Sequence, residues 1–291
     1  MSLIPGVTCE AVQHAVTQFC AMPISNAELG PPSRADRTLS MVVGFWFLAL
    51  VIGQWVFLYC VLAVYGPPTL SGDFQGWNVN PFLRKGYVAG DAAGNFAFAA
   101  HVLVGAAIAF GGTLQLIPQI RKRALAVHRW NGRVFLLAAT TGSAAGLYMV
   151  WVRRAGGDAV GSLANTIDAA LILSFAALAW RTAHAGNIDS HRRWALRTFM
   201  VANGVFFIRI GVLGWMALQR SPVGAVVFHI FDFACYLVPL AILELYLFAK
   251  DRGGSVARYA MAVALLAVTA FMSVGTFAFY QFMSHMVLSR L

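Results

Sequence analysis

The chain of 291 residues is 59% hydrophobic and 11% charged, with a mean hydropathy of +0.71. That leaves too little polar surface to clothe a water-soluble globule, so the composition excludes a soluble domain and reads as an integral membrane protein. In such a chain a net charge of +10 belongs with membrane orientation and contact with anionic lipid headgroups. Nothing resembles a nucleic-acid module, and no phosphate-cradling glycine loop lies between a strand and a helix.

Residues 1–38 read as a cytoplasmic N-terminal tail. They lack the basic start and apolar stretch of a secretory signal, so the N-terminus is expected to be retained. Residues 9–22 predict a short helix that Gly30-Pro31-Pro32 would stop. Cys9, Cys20, Cys60 and Cys235 are scattered, without the close pairs of a structural zinc site or a redox dithiol.

From residue 39 to 291 the chain reads as a single all-α, polytopic membrane helix bundle. Apolar runs long enough to cross about 30 Å of hydrocarbon at about 1.5 Å per residue fall at roughly 40–65, 95–118, 133–152, 161–181, 196–218, 223–249 and 259–286. These predict seven transmembrane helices. Trp55, Tyr65, Trp130, Trp151, Trp180, Trp194 and Trp215 lie near segment ends, where amphipathic rings favour the headgroup zone. The longest connection, 66–94, is an external loop carrying Gly66-Pro67-Pro68, Gly72, Gly76, Asn78, Asn80 and Pro81. That composition favours either an irregular cap over the bundle or a solvated linker.

Orientation follows from the basic residues. Arg34, Arg37, Arg121, Lys122, Arg123, Arg129, Arg133, Arg192, Arg193, Arg197, Lys250 and Arg252 fall on one side of the bundle, against Arg84, Lys85, Arg153, Arg154, Arg220 and Arg290 on the other. The positive-inside rule therefore predicts the N-terminus in and the C-terminus out.

The segment His128-Arg129-Trp130-Asn131-Gly132-Arg133-Val134-Phe135 enters span three, and His191-Arg192-Arg193-Trp194-Ala195-Leu196-Arg197-Thr198-Phe199 enters span five. Both carry His-Arg followed by Trp-x-x-Arg-x-Phe, which predicts parallel helix-hairpin repeats. Span six and span seven would form a third, diverged hairpin with Arg252 and Arg258 at its inner turn. The Trp and Arg of each copy share a helix face at the headgroup boundary, an interfacial anchor. A sharper reading makes His128 and His191 facing ligands, with the neighbouring arginines neutralising cofactor carboxylates. Quinone or anionic lipid headgroup binding is a further use of this face.

Ionisable side chains within spans carry the functional signal, because a charge or imidazole in hydrocarbon is costly unless it faces a partner or a wet cavity. Counting from the helix ends places His101, Asp168 and His229 roughly 10 Å below the outer surface, with Arg209 and Asp232 slightly deeper and Glu244 near the inner face. His229 and Asp232 share a helical face, as do Asn165 and Asp168. Gly105 and Gly204 would permit close helix approach or leave room for a planar ligand, and Gln281 and His285 would close the site from span seven.

This set supports several chemistries. His101 and His229 could ligate a haem iron as an axial pair, with His128 and His191 as a second pair at the inner face. His101, His229 and His285 with Asp168 or Asp232 supply zinc-type ligands, as in a membrane zinc hydrolase. The carboxylates and imidazoles could instead pass protons or bind a cation in a coupled transporter. In a structural reading Arg209 pairs with Asp168 or Asp232 and no cofactor is bound. One arginine against two aspartates leaves a negative charge, which favours a bound metal, haem iron or proton. Gln115 and Gln119 flank Pro118 at the inner end of span two, level with Glu244, where amides can satisfy the groups that proline frees.

The His-x-x-x-Gly of His101 to Gly105, Gln115, the His-Arg-Trp-x-Gly-Arg of 128–133 and the His-Arg-Arg-Trp of 191–194 together resemble the bacterial multi-pass family of predicted membrane proteins known as DUF2306, over about residues 95–250. The resemblance implies a bacterial inner-membrane location and brings no established activity. The hairpins and histidine levels are loosely similar to di-haem cytochromes of the b561 type, although the inner histidines lie at helix mouths. The favoured sequence reading is a membrane redox protein binding haem b. In it His101 and His229 are the outer ligands, His128 and His191 the inner pair, and Asp168, Arg209 and Asp232 proton-handling neighbours. Its partners would be the bilayer and a quinone or redox protein.

Overall fold

Ser33 starts the first helix ahead of the apolar run: the Asp36 N–H donates to its hydroxyl at 3.2 Å and its own N–H donates back to Asp36 Oδ2 at 3.1 Å. The computed structural model describes residues 32–80 and 85–288. Residues 9–22 with Cys9 and Cys20, and Gly30, Pro31, Pro81, Arg84 and Arg290, lie outside the described residues. Helix α1 runs from Arg34 to Ser71.

The helix also runs on through Gly66-Pro67-Pro68, which the sequence reading took as loop. Proline removes donors but keeps a helical φ, and the Thr69 hydroxyl donates to the Tyr65 carbonyl at 2.6 Å in that last turn. Gly72 then ends the helix with a φ of 74°, a left-handed conformation that a side chain would resist. A short 3-10 turn, Phe74–Val79, folds back so that the Trp77 indole N–H donates to Thr69 Oγ1 at 3.0 Å. Trp77 is buried against Phe98, with ring centroids 5.3 Å apart. The described part of the 66–94 segment is thus an ordered cap, not a solvated linker.

Arg153 pins that cap. Its guanidinium donates to Asp91 Oδ2 at 2.9 Å, Asn95 Oδ1 at 2.8 Å and the carbonyls of Lys85 and Gly86 at 3.0 and 3.1 Å. Lys85 Nζ in turn donates to the Arg153 carbonyl at 2.8 Å.

The remaining helices are α2 (Ala92–Leu116), α3 (Pro118–Arg123), α4 (Leu125–Trp151), α5 (Ala159–His184), α6 (Ile188–Ala202), α7 (Gly204–Gln219), α8 (Ala225–Asp251) and α9 (Ser255–Leu288). Among the described residues there is no strand. α1 lies along α9, α2 along α4, α5 along α6, and α7 against α9, while α8 packs on α5, α6 and α7. Six helices (α1, α2, α4, α5, α8 and α9) are each long and apolar enough to cross a membrane. Large apolar side chains such as Tyr59, Phe96, Leu103, Leu137, Val263 and Phe277 stand exposed on the bundle, a surface suited to lipid tails.

The predicted fifth span is not one straight helix. α6 and α7 meet at Asn203 with a bend of 50°, and count as a seventh crossing only if taken together. The cause is polar and central. Asn203 Nδ2 donates to the Phe199 carbonyl at 2.7 Å, and its Oδ1 accepts from Gln54 Nε2 of α1 at 2.8 Å. Both side chains are completely buried. An inserted side chain that takes a ladder carbonyl is a standard origin of a helix kink.

Candidate functional site

The bend and the caps build a polar site near the cap end of the bundle. Asp158 precedes α5 and accepts from the Gly161 N–H at 2.9 Å through Oδ1, which aims its second oxygen across to α8. There Asp158 Oδ2 lies 3.0 Å from His229 Nε2, while His229 Nδ1 lies 3.2 Å from Asp232 Oδ2 one helical turn on. The imidazole therefore bridges two carboxylates from different helices. Side-chain exposure falls along the series from 54% at Asp158 to 29% at His229 and 11% at Asp232, so the bridge leads from the surface inward.

Farther in, Asp168 of α5 faces the start of α7. A β-carbon at Gly204 would lie 3.2 Å from Asp168 Oδ2 and 3.7 Å from Cys235 Sγ, so glycine is what lets the bent helix approach the carboxyl. Asp168 Oδ1 is shut away from the surface and meets no hydrogen-bond donor, and the neighbouring Tyr236 hydroxyl is likewise buried without a partner. Cys235 lies within electrostatic range of Asp168, Asp232 and Arg209.

Arg209 does not form the expected ion pair: among the described residues none joins it to Asp168 or Asp232. Its guanidinium donates instead to the Val205 carbonyl of its own helix at 2.8 Å and lies 5.8 Å from the Phe57 ring centroid. Its charge still reaches both His101 and Cys235.

His101 takes a different direction from His229. It faces α4, with Nδ1 3.3 Å from the Gly142 carbonyl and its ring against Gly146. Neither nitrogen of His229 is open to an iron in this arrangement, because both contact carboxylates; ligation would require one of them to let go. Gly105 gives no close helix approach, since a β-carbon there would meet nothing within 4 Å. Asn165 turns back to donate to the Gly161 carbonyl at 2.7 Å. His285 and Gln281 are exposed and do not close the site. Among the described residues no three His, Cys, Asp or Glu side chains converge as metal ligands, so the zinc set of His101, His229, His285 and Asp232 is not assembled.

At the opposite, arginine-rich end the two Trp-x-x-Arg copies do share a local geometry. Arg133 lies 5.1 Å from the Trp130 ring and Arg197 4.7 Å from the Trp194 ring. They then diverge. Arg197 forms a two-pronged pair with Glu244, at 2.7 and 2.8 Å. Gln115 donates to the His128 carbonyl at 2.8 Å, and His191 Nδ1 lies 2.9 Å from the Ala179 carbonyl. His128 and His191 are brought within electrostatic range of each other.

A family model matches residues 98–247, just over half of the chain, from α2 through most of α8. The chain belongs to the family of predicted membrane proteins DUF2306. No curated protein and no solved structure matches the chain. In this DUF2306 member the matched stretch carries Asp158, Asp168, Arg209, His229 and Asp232, whereas α1 and α9, which pack along each other, lie outside it.

Sequence reasoning missed Asp158, Gln54, Asn203 and Tyr236, and set Cys235 aside. Asp158 carried a usable signal, an aspartate directly before a helix of the matched region, where a capping carboxylate is fixed in place. Gln54 and Asn203 lie 149 residues apart and nothing local connects them.

Proposed function

We propose that the protein is a proton- or cation-coupled carrier whose outer half-channel is the series Asp158, His229, Asp232 and Asp168. The observation that carries this reading is the imidazole held between an exposed and a buried carboxylate, at 3.0 and 3.2 Å. Imidazole is the side chain suited to exchanging protons near neutral pH, and it can take a proton on one nitrogen while releasing one from the other. A proton delivered by Asp158 enters at Nε2, the Nδ1 proton passes to Asp232, and a ring flip restores the starting tautomer. Asp168, with a buried oxygen that no protein group serves, is the inner acceptor: a carboxyl in that setting is stable as the neutral acid or with a cation beside it. Arg209 supplies positive field without neutralising either aspartate.

The Lys/Arg distribution supports an orientation with the N-terminus and the arginine-rich end in the cytoplasm and the cap and the C-terminus outside; the bacterial inner membrane is what the family resemblance implies. The paired Trp/Arg stacks support parallel hairpin repeats. Residues 39–291 then act as one transmembrane domain.

The test is reconstitution into liposomes with an internal pH-sensitive dye. An imposed pH gradient should dissipate faster with protein than without it, and Asp168→Asn should bring the rate back to that of empty vesicles. Equal rates for the wild type and protein-free vesicles would refute the reading.

A membrane redox protein binding haem b is the second reading. It is favoured by His101 and His191, each with Nδ1 at a backbone carbonyl, the contact that commonly orients a ligand imidazole. It predicts a Soret band in the purified protein that His101→Ala removes; a colourless, iron-free preparation excludes it.

A further inference from the structure

Gly72 turns the chain back at the end of α1, and the cap that follows encloses a cavity of about 470 Å³ between that end and the start of α2. Small-ligand pockets span roughly 300–1,000 Å³, so there is room for one. Aromatic rings reach the cavity from three elements: Phe74 and Trp77 from the 3-10 turn, Tyr87 from the loop and Phe96 from α2. The Phe74 and Trp77 rings meet edge-on with centroids 5.0 Å apart, making a corner, and Tyr87 stacks on Phe74 at 6.0 Å.

The walls are held in place by the protein itself. Asn78 Oδ1 accepts from the Tyr87 N–H at 2.9 Å and its Nδ2 donates to the Tyr87 carbonyl at 3.0 Å. Asn95 does the same for Val88, at 2.9 and 2.8 Å, so two asparagines clamp the piece of loop that carries Tyr87. Thr69 and Asn95 also line the cavity, and both are engaged within the protein: Thr69 Oγ1 accepts from Trp77 and donates to the Tyr65 carbonyl, and Asn95 Oδ1 accepts from Arg153 as well as Val88. The cavity therefore presents ring faces more than hydrogen-bonding groups. Phe74 and Phe96 are exposed lining residues, which leaves it open at the surface.

Charge points to the class of ligand. Asp73, directly before Phe74, is exposed and does not cap the turn it precedes. Arg153 reaches Asn95 but is paired with Asp91 at 2.9 Å. Ring faces attract a cation through their quadrupole, and a quaternary ammonium has no N–H group to leave unpaired among them. We propose that the cavity walled by Phe74, Trp77, Tyr87 and Phe96 binds a trimethylammonium group, its methyl shell set in the aromatic corner and the neighbouring Asp73 adding negative field. Free choline and the headgroup of phosphatidylcholine carry the same group. The site is separate from the proton path and does not rest on it.

The experiment is calorimetric titration of the full-length protein, purified in a maltoside detergent, with choline and with its uncharged isostere 3,3-dimethyl-1-butanol. Retention of phosphatidylcholine against phosphatidylethanolamine is followed by native mass spectrometry. Choline should bind saturably and the isostere at least tenfold more weakly. Weak choline binding with selective retention of phosphatidylcholine would make the lipid headgroup the source of the same group. Phe74→Leu and Tyr87→Leu should each weaken binding about tenfold, Phe74→Tyr should retain it, and Phe277→Leu, an exposed ring on α9, should leave it unchanged. Should a cavity variant fail to fold, the comparison of choline with its isostere on the wild type still decides. Equal binding of the two, or binding of neither choline nor phosphatidylcholine, would overturn the site.

Discussion

Gln54 donates its amide to Asn203 at 2.8 Å in the completely buried centre of the bundle, and the 50° bend between α6 and α7 is built on that contact. Asn203 diverts the Phe199 carbonyl from the helix ladder, and Gln54 holds Asn203 in the orientation that does so. Asn203→Ala would leave both a buried amide and a buried carbonyl unpaired, and is expected to cost about 2 kcal/mol of stability. Gln54→Ala should cost a similar amount, and the double variant less than the sum, because the two side chains share one bond. Denaturation in mixed micelles, run as a double-mutant cycle, checks this; strict additivity would show that the bend does not depend on the pair.

The same bend sets Gly204 against Asp168. Because an added β-carbon would stand 3.2 Å from the carboxyl oxygen, Gly204→Ala should displace Asp168 by a few tenths of an ångström with little effect on folding. Proton flux is expected to fall roughly tenfold while helix content by circular dichroism is unchanged, since relay geometry is sensitive to small displacements. Gly105→Ala, where a β-carbon meets nothing, serves as the neutral comparison.

Arg153 is only 3% exposed and serves four acceptors of the cap, so Arg153→Ala should destabilise the protein by roughly 3 kcal/mol, as breaking a buried charged network does. The cap should also loosen in acid. Asp91 is held below the usual carboxylate range, first by the Gly94 N–H and then by Arg153. Its folded-state value is the depressed one, so its contribution is present in full above the ordinary carboxylate range and is lost as the pH falls through that lowered value. Hydrogen exchange across residues 85–95 should accelerate at acidic pH in the wild type and show no such acid step in Asp91→Asn.

The spans were legible because an apolar run of sufficient length has few alternatives to crossing a bilayer. The direction each side chain takes around its helix was not. Each residue turns the helix by about 100°, so His285 could share a depth with His229 and still stand exposed on the bundle. Helix limits erred where side chains rewrote the local rule: Gly66-Pro67-Pro68 continues a helix because Thr69 serves the Tyr65 carbonyl, and span five breaks because Gln54 reaches Asn203 from another helix. The expected Arg209 ion pair shows the same limit, because charges at one level need not point at each other. His229 and Asp232 were paired from sequence by their one-turn spacing, while Asp158, outside the apolar runs, was overlooked as loop.

Reconstituted His229→Gln protein provides the decisive comparison, because it removes the bridge between Asp158 and Asp232 while leaving both carboxylates in place. Its proton flux under an imposed pH gradient should drop to that of empty liposomes, with thermal stability close to that of the wild type. Flux equal to that of the wild type would contradict the relay.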